Sequence, residues 1–191
     1  YSWPEATAVK ALLPDLQWGL QAAAECVRWA VGLPYPDLEL DYEFVALHHP
    51  DEYGVIDGEV WSSLGRRLSV AEYEKGYLEQ HVQHSNALHS HTAEGGIYLV
   101  GPLARLALNH EQLLPQAQAA LTAARVGLPI KNPYKSLIAR AAELVQFFEE
   151  AIGLVEAYDP KGPAHAELRV RAGEGAGATE APRGLLYHRY R

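Results

Sequence analysis

One cysteine, Cys26, in 191 residues allows no internal disulfide and no thiolate cage for zinc or an iron-sulfur cluster. No apolar run approaches the ~20 residues needed to cross a bilayer, which leaves no membrane span. Basic residues number 16 against 24 acidic ones, and the formal net charge of -8 repels phosphate backbones and anionic lipid, so nucleic acid is not expected as a partner. Also missing is a Gly-x-Ser-x-Gly nucleophile elbow. Gly173, Gly175 and Gly177 have the wrong spacing for a dinucleotide fingerprint, and no Lys-Ser/Thr follows them as a phosphate loop requires. Hydrolytic and nucleotide-binding chemistry therefore find no support.

The cysteine usage is compatible with a reducing compartment, and no signal peptide is visible, so a cytoplasmic location is the expectation. Tyr1 is not an initiator, and the last run stops at Arg191 without a polar tail. The length suits one core, so residues 1–191 are expected to form a single domain and an internal fragment of a longer polypeptide.

Periodicity supplies most of the elements. Pro14 opens a helical stripe of Leu16, Leu20, Ala23, Val27, Ala30 and Val31 that ends at Gly32, with Cys26 beside it as a small buried hydrophobe. Leu38, Leu40, Tyr42 and Phe44 alternate with acidic residues as a half-buried strand does. Asp57-Gly58 between Val55-Ile56 and Val60-Trp61 predicts a two-residue hairpin turn. Ser69 and Glu72 form a capping-box pattern for a helix to about Val82.

Ala117, Ala120, Leu121 and Ala124 mark a helix with a small-residue stripe. Asn132 and Pro133 then start a long helix to about Tyr158, through Leu137, Ala141, Leu144, Val145, Phe148, Ile152 and Val155. It is expected to be the most buried element, with Glu143, Glu149, Glu150 and Glu156 solvated. Leu168 and Val170 suggest a short strand. The fold class is mainly α with a minor β component (α+β), built on a helical core.

Four imidazoles, His81, His84, His89 and His91, lie within eleven residues. Their spacing fits no common zinc arrangement, which leaves a solvated loop, a metal site and a contact with another chain open. At the C-terminal end, the alternating glycines leave the backbone free to wrap a partner. Pro182 fixes φ and restricts Ala181 to extended geometry, so Arg183 projects from a stiffened turn ahead of a strand-like run from Leu185 to Tyr190.

Four segments together resemble a known family. Glu180-Ala181-Pro182-Arg183-Gly184 with the following Leu186-Tyr187-His188, Val100-Gly101-Pro102-Leu103-Ala104-Arg105, His84-Ser85-Asn86-Ala87-Leu88-His89-Ser90 and Leu47-His48-His49-Pro50-Asp51-Glu52-Tyr53 are similar to segments of the large (alpha) subunit of nickel-iron hydrogenases, of the soluble, cofactor-linked type. The resemblance implies reversible oxidation of dihydrogen, partnership with an iron-sulfur small subunit, and a soluble electron acceptor. It also implies that Arg183 and Pro182 lie over the metal centre as catalytic residues. The family holds nickel and iron with two pairs of cysteines; this chain has neither pair, so it is expected to bind no metal itself, the nickel-iron centre belonging to the parent protein. A metal-free scaffold subunit of an electron-transfer complex and a non-catalytic helical interaction module are the alternatives.

Overall fold

The computed structural model describes residues 2–191. In chain order its elements are α1 (Ala6–Lys10), α2 (Leu13–Val31), β1 (Glu43–His48), β2 (Glu59–Ser62), β3 (Arg67–Leu68), α3 (Tyr73–Gly76), β4 (Tyr77–Gln80), β5 (His89–Thr92), β6 (Tyr98–Leu99), α4 (Pro102–Asn109), α5 (Pro115–Ala123), α6 (Ser136–Glu156), β7 (Gly175–Ala181) and β8 (Gly184–Tyr190). Helix takes 39% of the chain beside small sheets, so the fold is mainly α with a minor β component. The chain divides into two compact units.

The first unit comprises the segment ending at Pro34 together with Leu114–Val126 and Leu137–Ala172. It is helical. Pro14 sits in the first turn of α2, and Leu20, Ala23, Val27 and Ala30 repeat at three and four residues to form its buried stripe. Gly19 lets α6 approach, because a Cβ there would lie 2.4 Å from the Phe148 ring. On α5, Ala117 and Leu121 are buried. Gln146, itself buried on α6, accepts the Leu114 amide at 2.7 Å and so ties down the start of α5.

The second unit, Tyr35–Leu113 with Gly127–Ser136 and Gly173–Arg191, holds all the strands. Its four-stranded sheet runs β3-β2-β1-β6, with β1 antiparallel to β2 and parallel to β6. Phe44-Val45-Ala46-Leu47 is an unbroken apolar run because β1 is central and buried on both faces. Val45 and Leu47 join Val60 and Tyr77 in a core against which Leu68, Val70, Tyr73, Tyr98, Val100, Ala178 and Leu185 pack. Helix α4 packs on β1. Two ribbons, β4–β5 and β7–β8, complete the unit.

Several expectations are corrected. The strand foreseen at 38–44 begins only at Glu43, and Leu38 and Leu40 are exposed; Leu40 instead donates its amide to the Lys131 carbonyl at 3.3 Å. β1 and β2 do form a hairpin, but ten residues connect them, and Asp57-Gly58 is the last bend of that connection rather than a two-residue turn. The helix from Ser69 stops at Gly76 because Tyr77 pairs with Thr92 as a strand; Ser69 reaches Glu72 by side chain and caps no backbone amide. Leu168 and Val170 form no strand and are exposed. The glycine-rich stretch is strand β7 rather than a wrapping loop.

Cys26 is exposed, and Glu143 is buried. Nor is α6 the most buried element: its buried residues fall between Ile138 and Gln146, while Leu144, Phe147 and Leu154 are exposed. Apolar residues ring more than one face of α6, whereas β1 and α4 are enclosed along most of their length.

Candidate functional site

β7 and β8 pair from Gly175↔Tyr190 to Ala181↔Gly184, which leaves Pro182 and Arg183 as the two residues of the connecting turn. Two glycines allow this turn to press against the start of α4. Gly184 has φ +146°, and a Cβ there would meet Val100 Cγ2 at 2.5 Å. Gly101 has φ +94°, and a Cβ there would come within 2.6 Å of the Arg183 carbonyl oxygen. Neither position accepts another residue without strain and overlap. Pro102 then supplies the first turn of α4, and the Arg105 amide donates to the Gly101 carbonyl at 2.9 Å.

One helical turn from Gly101, Arg105 sends its guanidinium beneath the hairpin. Nη1 donates to Glu180 Oε2 at 2.9 Å and to the Ala181 carbonyl at 2.8 Å, and Nη2 donates to the Pro182 carbonyl at 3.4 Å. This ion pair is buried, with side-chain exposures of 3% for Arg105 and 1% for Glu180. A buried pair of charges is tolerable only when further hydrogen bonds satisfy it. Glu180 meets that condition: its other oxygen, Oε1, accepts the Leu47 amide at 3.0 Å. Its own amide donates to the Val55 carbonyl at 2.7 Å.

Asn109, fully buried at the end of α4, continues the network. Its Nδ2 donates to the Leu47 carbonyl at 2.9 Å and to the Arg105 carbonyl at 3.2 Å, and its Oδ1 lies 2.9 Å from His48 Nδ1. The His48 ring stacks on Trp61 with centroids 3.6 Å apart.

Three of the four segments singled out in the sequence thus meet: 47–53 through Leu47 and His48, 100–105 through Gly101 and Arg105, and 180–188 through Glu180 and the turn. The fourth does not join them. Residues 84–90 belong largely to the exposed connection between β4 and β5, where the His84 and His89 rings meet edge-on at 5.3 Å. Sequence reasoning picked out Arg183 and Pro182 but missed Glu180 and the partnership of Arg105. Both residues lie within the segments singled out, but nothing in either segment marks one as the partner of the other, 75 positions away.

Pro182 and Arg183 are both exposed. The Arg183 side chain forms no ion pair or hydrogen bond among the described residues, in contrast to Arg105 and Arg189. Arg189 on β8 pairs with Glu174 and with Glu74, the latter at 2.9 Å.

No protein-family model matches the chain. It is 33% identical over 140 residues to the alpha subunit of sulfhydrogenase 1 from Pyrococcus furiosus, a match covering 72% of this chain and 32% of the relative. The chain is homologous to the large subunits of nickel-iron hydrogenases. The alpha subunit of sulfhydrogenase 2 from the same organism is 36% identical over 129 residues, covering 66% of this chain and 30% of the relative. A vhu subunit of the F420-non-reducing hydrogenase of Methanococcus voltae is 35% identical over 130 residues, covering 63% and 30%. This hydrogenase-related chain spans about a third of the length of the curated relatives it matches. Among solved structures, the Ni-Fe-Se hydrogenase of D. vulgaris Hildenborough aligns with 96% of this chain and 46% of its own, at 16% sequence identity and a TM-score of 0.48.

The chain's own residues do not fit a thiolate-held metal centre. Cys26 is the single thiol and lies exposed on α2. Among the described residues, no group of three or more His, Cys, Asp or Glu side chains is gathered as a metal site would need, the four histidines of 81–91 included.

Proposed function

We propose that this chain is the arginine-bearing part of the large subunit of a nickel-iron hydrogenase, an enzyme that oxidises dihydrogen reversibly and passes electrons through an iron-sulfur small subunit to a soluble acceptor in the cytoplasm. The observation that carries this reading is the Arg183 side chain: a guanidinium on a proline-stiffened turn, exposed and without a hydrogen-bond partner among the described residues. A planar guanidinium fork donates directional hydrogen bonds to anionic groups, which suits it to a position over the charged ligands of a metal centre. Pro182 shapes the wall beside it. The thiolates that hold nickel and iron belong to other parts of the parent protein, and the residues 1–191 serve as its scaffold and cover.

Elemental analysis and dihydrogen uptake by the intact protein test the reading together. About one nickel per large subunit with uptake of dihydrogen is the expected result. An intact protein free of nickel and inert toward dihydrogen overturns it, and makes the chain part of a metal-free scaffold related to hydrogenases.

A further inference from the structure

We infer that Arg105 is a positioning residue, which acts with Glu180 as a buried clamp that fixes the direction in which Arg183 points; this rests on the role proposed for Arg183. The direction of a Cα–Cβ bond is set by the two peptide planes that flank it, because each plane is rigid. Both planes around Arg183 are held from α4. The Pro182 carbonyl accepts Arg105 Nη2, and the Arg183 carbonyl lies against Gly101, where even a methyl group would approach to 2.6 Å. One residue earlier, the Ala181 carbonyl accepts Arg105 Nη1 at 2.8 Å. The clamp is itself immobile, since Glu180 is bonded at once to Arg105, to the Leu47 amide and, through its own amide, to Val55.

A guanidinium is required for this geometry. It places N–H bonds in one plane, so a single side chain meets a carboxylate and two successive carbonyls. An ammonium keeps the charge but is a flexible point donor. The neutral pair Arg105→Met with Glu180→Gln removes the clamp without stranding a buried charge, while the glutamine oxygen still accepts the Leu47 amide.

The test uses the intact, nickel-loaded enzyme and four variants: R105K, the R105M/E180Q pair, R183K, and R105K combined with R183K. Turnover, nickel content and amide hydrogen exchange over residues 180–190 are read for each. With nickel retained, R105K and the neutral pair are expected to exchange faster at the turn and to lose about a hundredfold in turnover, the scale of a displacement of ~1 Å in an active site. R105K is also expected to change nothing further once R183K is present, because groups acting through one another are not additive. Wild-type exchange in both clamp variants overturns the clamp, as does an R105K loss that multiplies with that of R183K. Should R183K alone keep wild-type turnover, the role of Arg183 fails separately. Exchange then decides the clamp by itself: faster exchange supports it, and unchanged exchange overturns it.

Discussion

The two ribbons of the second unit are built alike and held differently. β4–β5 and β7–β8 are both antiparallel pairs, each overlaps a segment that resembles the hydrogenase family, and each sends aromatic or apolar side chains into the core region. In β4–β5 the anchor is Tyr77 with Thr92 opposite it, and beyond that rung the ribbon and the 81–88 connection are exposed apart from half-buried Val82, Ser85 and His91. In β7–β8 the anchor extends to the turn itself, through a buried ion pair, two captured carbonyls and two glycines pressed against the start of α4. Family resemblance alone does not separate the two. Buried polar bonds do, because each must be satisfied in one geometry or cost free energy. A turn fixed in that way can aim a side chain, whereas the histidine connection carries local hydrogen bonds at its surface.

The strongest break of this contrast is Glu180→Ala. It leaves the Arg105 guanidinium buried without its carboxylate and is expected to cost about 3–5 kcal/mol. Glu79→Ala, on exposed β4, is expected to stay within about 0.5 kcal/mol. Denaturant unfolding of the two variants side by side checks the difference; equal losses would mean that the clamp carries no special weight.

Next in size are two glycines with similar φ and different surroundings. Gly101 and Gly95 have φ of +94° and +86°, but a Cβ at Gly101 meets backbone at 2.6 Å while one at Gly95 meets nothing within 4 Å. Gly95→Ala should cost only the left-handed strain of about 1–2 kcal/mol. Gly101→Ala adds overpacking against the Arg183 carbonyl and should cost about 3 kcal/mol or more. Thermal unfolding of both variants sharpens the comparison.

A smaller effect joins the ribbons through their aromatic residues. Tyr73 stacks on Tyr187 of β8 at 4.5 Å and lies 5.2 Å from Tyr77 of β4. Burial pushes the Tyr73 and Tyr77 hydroxyls well above the ordinary tyrosine range, and a contact with the Tyr98 hydroxyl at 3.4 Å adds to the shift of Tyr73. Raised folded-state values favour the neutral form. Their stabilising contribution is therefore full below the unfolded value of about 10 and is lost as pH rises beyond it. Melting temperatures between pH 9 and 11 should fall, and less steeply in Tyr73→Phe. The smallest effect belongs to the exposed connection: His84→Ala should leave stability within about 0.5 kcal/mol, measured by the same melts.

How much of this was readable beforehand differs between the helices and the site. The stripes of α2 and α5 follow from the three- and four-residue spacing of their apolar side chains, whereas on α6, apolar on more than one face, spacing finds the helix but not its buried side, since Leu144 is exposed and Glu143 buried. Asn132 also caps as its sequence suggests, with its Oδ1 accepting the Tyr134 amide at 3.0 Å. Strands were harder. The alternation at 38–44 is locally strand-like, but the segment pairs with no strand until Glu43, and β7 takes shape from glycines only because β8 supplies the partner. The Pro182–Arg183 turn could be read from local chemistry. Its clamp could not, because Arg105 and Glu180 are 75 positions apart and nothing short-range marks them as partners.

Arg183→Lys in the intact enzyme tests the central claim most directly, with dihydrogen oxidation and nickel occupancy measured on the same preparation. Lysine keeps the charge and loses the planar fork, so turnover is predicted to fall by about 10²–10³ while nickel stays at the wild-type level. Near-normal turnover at full occupancy would contradict the account and leave Arg183 a surface residue on a well-anchored turn.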